Sequence, residues 1–221
     1  MRARWWHNAA MVLLAGAAMH APAAPLTHER VMALCAEVES PGHCGRKIEA
    51  EQLKSLPSLA VRDGDTLKVS LFPSGSKELV DAIAGANARS YALWDYWSNA
   101  NAVVLFIADG ERLNYGVLQR ANGQLTTVPA EPVLSPDRQN LAVADFCTAG
   151  CTNQITVWRV ARDGIRKVAA WSPPATWSDV TVNWKDAETL AVQYTPTGEV
   201  TGRTVNRALN APDWQRAEAP R

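Results

Sequence analysis

Ser135-Pro136-Asp137-Arg138-Gln139-Asn140-Leu141-Ala142-Val143 is the stretch whose reading decides the fold. After a loop it is followed by Ile155-Thr156-Val157-Trp158-Arg159-Val160. Its ordering returns in Asn183-Trp184-Lys185-Asp186-Ala187-Glu188-Thr189-Leu190-Ala191-Val192. Asp137 and Asp186 lie 49 positions apart, and Leu-Ala-Val recurs at that offset. A looser copy comes earlier. Asn101-Ala102-Val103-Val104 leads to Val117-Leu118-Gln119-Arg120 and Asn122-Gly123, and Val117 to Val128 parallels Val157 to Val168 at an offset of 40. A module repeated at this period folds as similar small units stacked side by side.

Outward from these copies the chain reads as short strands. Runs at 91–97, 102–107, 115–120, 125–128, 141–146, 155–160, 168–171, 180–184, 190–194 and 201–207 are rich in β-branched and aromatic residues. Turn signals at Asp109-Gly110, Asn122-Gly123, Asp163-Gly164 and Pro196-Thr197-Gly198 separate them. Upstream, 59–62 and 67–71 flank Asp63-Gly64 as a hairpin. Residues 77–84 fit a helix by propensity and a strand by alternation. Before Pro57 the pattern is helical. Val31, Leu34, Cys35 and Val38 share one face of a helix over 26–40, with Thr27 as its N-cap and Ser40-Pro41-Gly42 as its stop. A second helix is expected over 45–56. The expected organisation is an N-terminal helical segment, 24–56, and a β domain, 57–221.

The Ser-Pro-Asp turn, Leu-Ala-Val and the later Ile-x-Val-Trp together resemble a blade of the TolB-type and WD-type β-propeller repeats. The resemblance is fullest over 133–171, then 180–207, then 98–128, about half of the chain after residue 23. In those families the Ser-Pro-Asp turn feeds an inner strand and a later strand ends in an aromatic, and the blades supply interaction surfaces. Closed rings usually need four to eight blades, and residues 57–214 have room for at most four. The fold class expected is therefore mainly β: antiparallel, partial or open propeller-like meanders. A β-sandwich or a four-bladed ring is the alternative. Trp94-Asp95 matches the WD dipeptide, which we take as chance in a chain with nine tryptophans.

Composition narrows the function classes. Of 221 residues 47% are hydrophobic and 20% charged, with 22 basic against 22 acidic side chains. That balance excludes long disorder and leaves no basic field for nucleic acid. Residues 1–8 carry Arg2 and Arg4 without an acid, 9–19 are an uncharged apolar run, and small residues follow at Ala21 and Ala23. This is the layout of a cleaved secretory signal, with the cut expected between Ala23 and Ala24. The apolar run is too short for the ~20 residues that span a bilayer, so the chain is not membrane-embedded once the signal is gone. A periplasmic or secreted location is expected.

Export makes disulfides the default for the four cysteines. The local pairing, Cys35–Cys44 and Cys147–Cys151, is preferred because the two pairs lie about a hundred residues apart. A zinc site on Cys35, His43 and Cys44 falls short of the usual four ligands, and the spacings are not those of a C-x-x-C redox motif.

No catalytic constellation stands out. His28 and His43 lie in no catalytic motif, and the aspartates, including Asp145 at the cysteine loop, are scattered. Asp63-Gly64-Asp65 shares its start with a calcium loop but lacks the later ligands. No cofactor and no metal are expected. The most distinctive surface candidate is Tyr91-Ala92-Leu93-Trp94-Asp95-Tyr96-Trp97. Alternation puts Tyr91, Leu93 and Trp97 on one face and Trp94 and Tyr96 on the other. Such a strand packs in a core or offers Tyr91, Trp94, Tyr96 and Trp97 to a partner. The expected function is a non-enzymatic binding or scaffolding module of the bacterial cell envelope, with an envelope protein or polysaccharide as partner. The alternative is a secreted hydrolase or carbohydrate-binding protein using the scattered aspartates and exposed aromatics.

Overall fold

In a computed structural model the described residues are 26–38, 40–82, 88–110, 112–161 and 164–217. The expected signal peptide, the cut at Ala23, Ile83 and Ala84 of the ambiguous segment, and Asp163 of one turn lie outside them.

Turn chemistry sets the hairpins. Gly64 takes φ +52° and Asp63 pairs with Thr66, so β1 (Ala60–Asp63) folds straight back into β2 (Thr66–Ser70). The ambiguous segment extends this sheet as a strand: β3 (Ser76–Val80) pairs antiparallel with β2. A second meander runs β4 (Arg89–Trp97), β5 (Ala102–Asp109), β6 (Arg112–Gln119), β7 (Leu125–Val128). The third runs β8 (Pro132–Leu134), β9 (Asn140–Asp145), β10 (Gln154–Ala161), β11 (Gly164–Trp171). The fourth is β12 (Trp177–Trp184), β13 (Thr189–Pro196), β14 (Arg203–Ala208). A two-residue strand near the C-terminus, β15 (Gln215–Arg216), returns to pair with β11 of the third sheet.

The sheets stack in chain order, and shared cores define the order. Leu67, Val69 and Leu79 of the first pack with Leu93, Val103 and Leu105 of the second. Ala102 and Val117 of the second meet Leu141 and Val143 of the third. Ala142 and Val157 of the third meet Leu190 and Val192 of the fourth. Strands between two cores lose alternation, so Ala102 to Ala108 are buried without a break. The end sheets keep it. Val61, Lys68 and Glu78 face outward on the first, Thr181 and Asn183 on the fourth. Among the described residues no core cluster joins the first sheet to the fourth. The architecture is an open antiparallel stack of four sheets, neither a two-sheet sandwich nor a closed barrel.

The repeat read in the sequence has a packing counterpart. Val103, Val143 and Val192 are all fully buried, and each faces the sheet before its own. Asp137 Oδ1 accepts from Gln139 N at 3.1 Å, and Asp186 Oδ1 from Glu188 N at 2.9 Å, the same two-residue aspartate turn.

The helices differ from expectation. The first, α1 (His28–Cys35), is capped by Thr27 as expected but is only eight residues long. Ser40-Pro41-Gly42 begins the next helix rather than merely stopping this one. Ser40 caps α2 (Pro41–Ser55), its hydroxyl accepting from His43 N at 3.3 Å, and Pro41 sits in the first turn. There its missing N–H costs nothing. The buried face of α2 is Gly45, Ile48, Glu49 and Gln52. It packs on β4, and its polar members answer the edge of that strand. Leu93 N donates to Glu49 at 3.1 Å, and Gln52 donates to the Trp94 carbonyl at 2.5 Å. From the first sheet, Asp81 accepts from Tyr91 N at 2.9 Å and Arg62 donates to the Tyr91 carbonyl. Side chains thus meet backbone groups that another strand would otherwise meet.

The cysteines pair as expected. Cys35–Cys44 ties the end of α1 to the first turn of α2, and Cys147–Cys151 closes the β9–β10 loop. Both loops are short, so each bond contributes at the low end of ~2–4 kcal/mol. Reduction should lower Tm while the far-UV β signal survives. A native-state thiol titration should find no reactive cysteine; labelling of all four would contradict the pairing.

Candidate functional site

The aromatic strand carries an irregularity that alternation cannot show. Along β4, Leu93 pairs with Leu105 but Asp95 pairs with Val104, leaving Trp94 as an extra residue in a β-bulge. The bulge shifts the parity of everything after it. Tyr91, Leu93 and Tyr96 share the core with the first sheet, and Trp97 packs into the core with the third. This corrects the expected faces, on which Trp97 sat with Tyr91 and Tyr96 opposed them. Tyr96 is further held by Arg120, which donates to its hydroxyl at 2.9 Å and lies 5.4 Å from its ring centre. Tyr91, Tyr96 and Trp97 are therefore occupied in packing.

Trp94 is different. Its ring stacks on Phe106 at 5.7 Å and meets Tyr115 edge-on at 5.3 Å, while Phe106 and Tyr115 cross at 5.7 Å. Gly45 of α2 closes over this group. A Cβ there would sit 2.8 Å from Phe106. The half-buried indole directs its N–H to Glu131 Oε1 at 2.9 Å. Glu131 sits on the connection between β7 and β8 and is exposed as a residue, with its carboxyl against the Trp94 indole. Burial raises its pKa, the charge of Asp95 adds to the rise, and the Trp94 hydrogen bond and His28 oppose it. Burial also raises Asp95, against hydrogen bonds from Tyr96 N and Trp97. Burial pushes the Tyr115 hydroxyl up as well, with the Glu131 charge contributing. The result is an aromatic shelf edged by two acceptor carboxyls, suited to a ligand that brings apolar surface and donors together.

The pKa direction makes a stability prediction. A carboxyl whose folded pKa is raised binds its proton more tightly in the fold. It therefore destabilises the fold as pH rises through its ordinary value, 4.5 for Glu131, and through the higher folded value. Glu131→Gln keeps the acceptor and removes the charge. The variant should melt higher than the parent at neutral pH, and the gain should vanish below about pH 4. A gain independent of pH, followed by thermal melts across that range, would contradict this origin.

Other candidates resolve into structure. Asp145 is buried, not exposed, and accepts from Thr152 N and Oγ1 at 2.9 and 2.6 Å, which shapes the cysteine loop. Trp158, Trp184 and Trp214 donate their indole N–H groups to Thr156, Val133 and Ala208. Trp177 stacks on both Phe146 and Tyr194, and Phe146 and Trp177 pack against the core between the third and fourth sheets. Asp63-Gly64-Asp65 is a hairpin turn. Among the described residues no group of three or more His, Cys, Asp and Glu could hold a metal, and no helix is long and apolar enough to cross a membrane.

Sequence reasoning missed Glu131, Tyr115 and Phe106. No local signal joins them to Trp94; only the pairing of β4, β5 and β6 and the return of the chain after β7 does so. Compared with known proteins, the chain matches no family model and no curated protein.

Proposed function

We propose that this chain is an exported, non-enzymatic binding module of the bacterial cell envelope, and that it engages a protein partner through the Trp94–Tyr115–Glu131 patch. The observation that carries this reading is the bulge that takes Trp94 out of the strand ladder and sets its indole against the Glu131 carboxyl at the surface. Bulges of this kind re-aim side chains, and aromatic residues beside polar acceptors are the composition of contact centres. Export is supported by the positive, apolar and small-residue order of 1–23 and by the pairing of all four cysteines. The blade resemblance adds interaction surfaces to this reading, while the fold by itself does not decide between interaction and chemistry.

A photo-crosslinking side chain in place of the exposed Pro129 tests this in producing cells, with the same probe at Thr204 on the far sheet as control. A discrete protein adduct is expected from position 129 alone, and Trp94→Ala should abolish it. Identical adducts from both positions, or an adduct to glycan, would overturn the protein-partner reading. Retention of an N-terminus at Met1 in the cell-derived protein would overturn export.

A further inference from the structure

Resting on the reading of the Trp94–Glu131 patch as the contact site, we infer that the partner docks there by laying an arginine side chain over the Trp94 indole, with its guanidinium paired to Glu131 and Asp95. The molecule itself holds a complete example of this arrangement. The Arg207 guanidinium lies 4.2 Å from the ring centre of Trp171 and forms an ion pair with Asp213. Asp213 is held below its ordinary carboxylate range, chiefly by the hydrogen bond from Arg207, and the Trp171 side chain adds a hydrogen bond of its own. Ring, carboxylate and guanidinium each touch the other two.

At Trp94 the ring and the carboxylate are in place, the indole donating to Glu131 Oε1 at 2.9 Å, and the guanidinium is not. Among the described residues cations lie over the rings of Tyr96 and Trp171 and over no other. Neither Glu131 nor Asp95 forms an ion pair among them. His28 reaches Glu131 through its charge alone. Glu131 accordingly moves the opposite way from Asp213, raised by burial where Asp213 is lowered by its arginine. Nearby on the same strand edge the chain does supply the cations, Arg62 for Glu49 and Arg46 for Asp81.

The bulge brings the second carboxyl to the same side. Asp95 pairs with Val104, two residues from Phe106 along β5, so it emerges on the face of Phe106 and Tyr115 with Trp94 beside it. Trp94 and Asp95 are half-buried and Glu131 is exposed, which keeps all three within reach of a partner. The shape of the site selects the cation. A guanidinium is flat, stacks on an aromatic face and presents a fork of donors, so one group meets the ring and both carboxyls. An ammonium is a compact, strongly hydrated charge with no face to stack. A neutral donor would leave two neighbouring acids uncompensated.

NMR titration of the full chain, followed at the tryptophan indole N–H signals, tests this with three probes. These are Nα-acetyl-L-arginine amide, the matching lysine amide and the citrulline amide, a neutral isostere of arginine. A saturable shift of the Trp94 signal is expected with the arginine probe, at least about tenfold weaker with either of the others. Trp171, whose arginine is already supplied by Arg207, is the internal control and should not move. Glu131→Gln, which keeps the indole acceptor, should weaken the arginine probe by a similar factor. No saturable shift at Trp94, equal binding of the arginine probe and either of the others, an equal shift at Trp171, or unaltered binding by Glu131→Gln would overturn the inference. Each of those results leaves a position-129 adduct intact, and with it the contact site, whereas loss of that adduct removes the contact site itself.

Discussion

Arg62→Ala should remove ~3–5 kcal/mol of stability, enough to leave a domain of ordinary stability partly unfolded. Arg62 holds Glu49 with two parallel bonds, Nε to Oε1 and Nη2 to Oε2, both 2.7 Å. The Glu49 side chain is 3% exposed and the Asp81 side chain 0%, while Arg62 retains 13%. Arg46 supplies the second cation, 2.6 Å from Asp81 and 3.9 Å from Glu49. Two acids are thus matched by two bases, and the same groups hold the β4 edge. Taking Arg62 away leaves Glu49 charged, buried and facing only Leu93 N and a distant Arg46. That uncompensated charge accounts for most of the cost, so the double variant Arg62→Leu/Glu49→Gln should be clearly more stable than Arg62→Ala. Urea unfolding followed by circular dichroism measures both. A loss under about 1 kcal/mol for Arg62→Ala, the range of surface pairs, would mean that packing alone holds α2 on β4.

The same network marks where sequence reading stopped. Strands were legible because period-two patterns and Asp-Gly or Asn-Gly turns are local signals, and β7 falls on the expected residues 125–128. The buried face of α2 was not, because two of its members, Glu49 and Gln52, are polar, and what buries them is a strand edge brought up from elsewhere in the chain. Strands β8 and β15, of three and two residues, are too short to show a period. The reversal of Trp97 follows from one unpaired residue at Trp94, and a bulge is a property of the partner strand as much as of its own.

Leu141→Ala and Leu190→Ala should each cost ~2–5 kcal/mol, the range for leucine removed from a rigid core. Both side chains are fully buried, and both occupy the same place in the repeated module. Their settings differ in one respect. Leu141 lies in the core between the second and third sheets, and Leu190 in the core between the third and fourth. In a linear stack each sheet is stabilised by its neighbours alone. The fourth has one such neighbour, helped by the C-terminal segment, whose Trp214 packs into the same core and donates to Ala208. Leu190→Ala should therefore loosen β12, β13 and β14 first, and hydrogen exchange should report lost protection there while the first two sheets keep theirs. Leu141→Ala cuts the stack at its middle and should lower protection on both sides. If Leu190→Ala lowers protection evenly through all four sheets, the stack unfolds as one unit, and the neighbour-by-neighbour account of its stability fails.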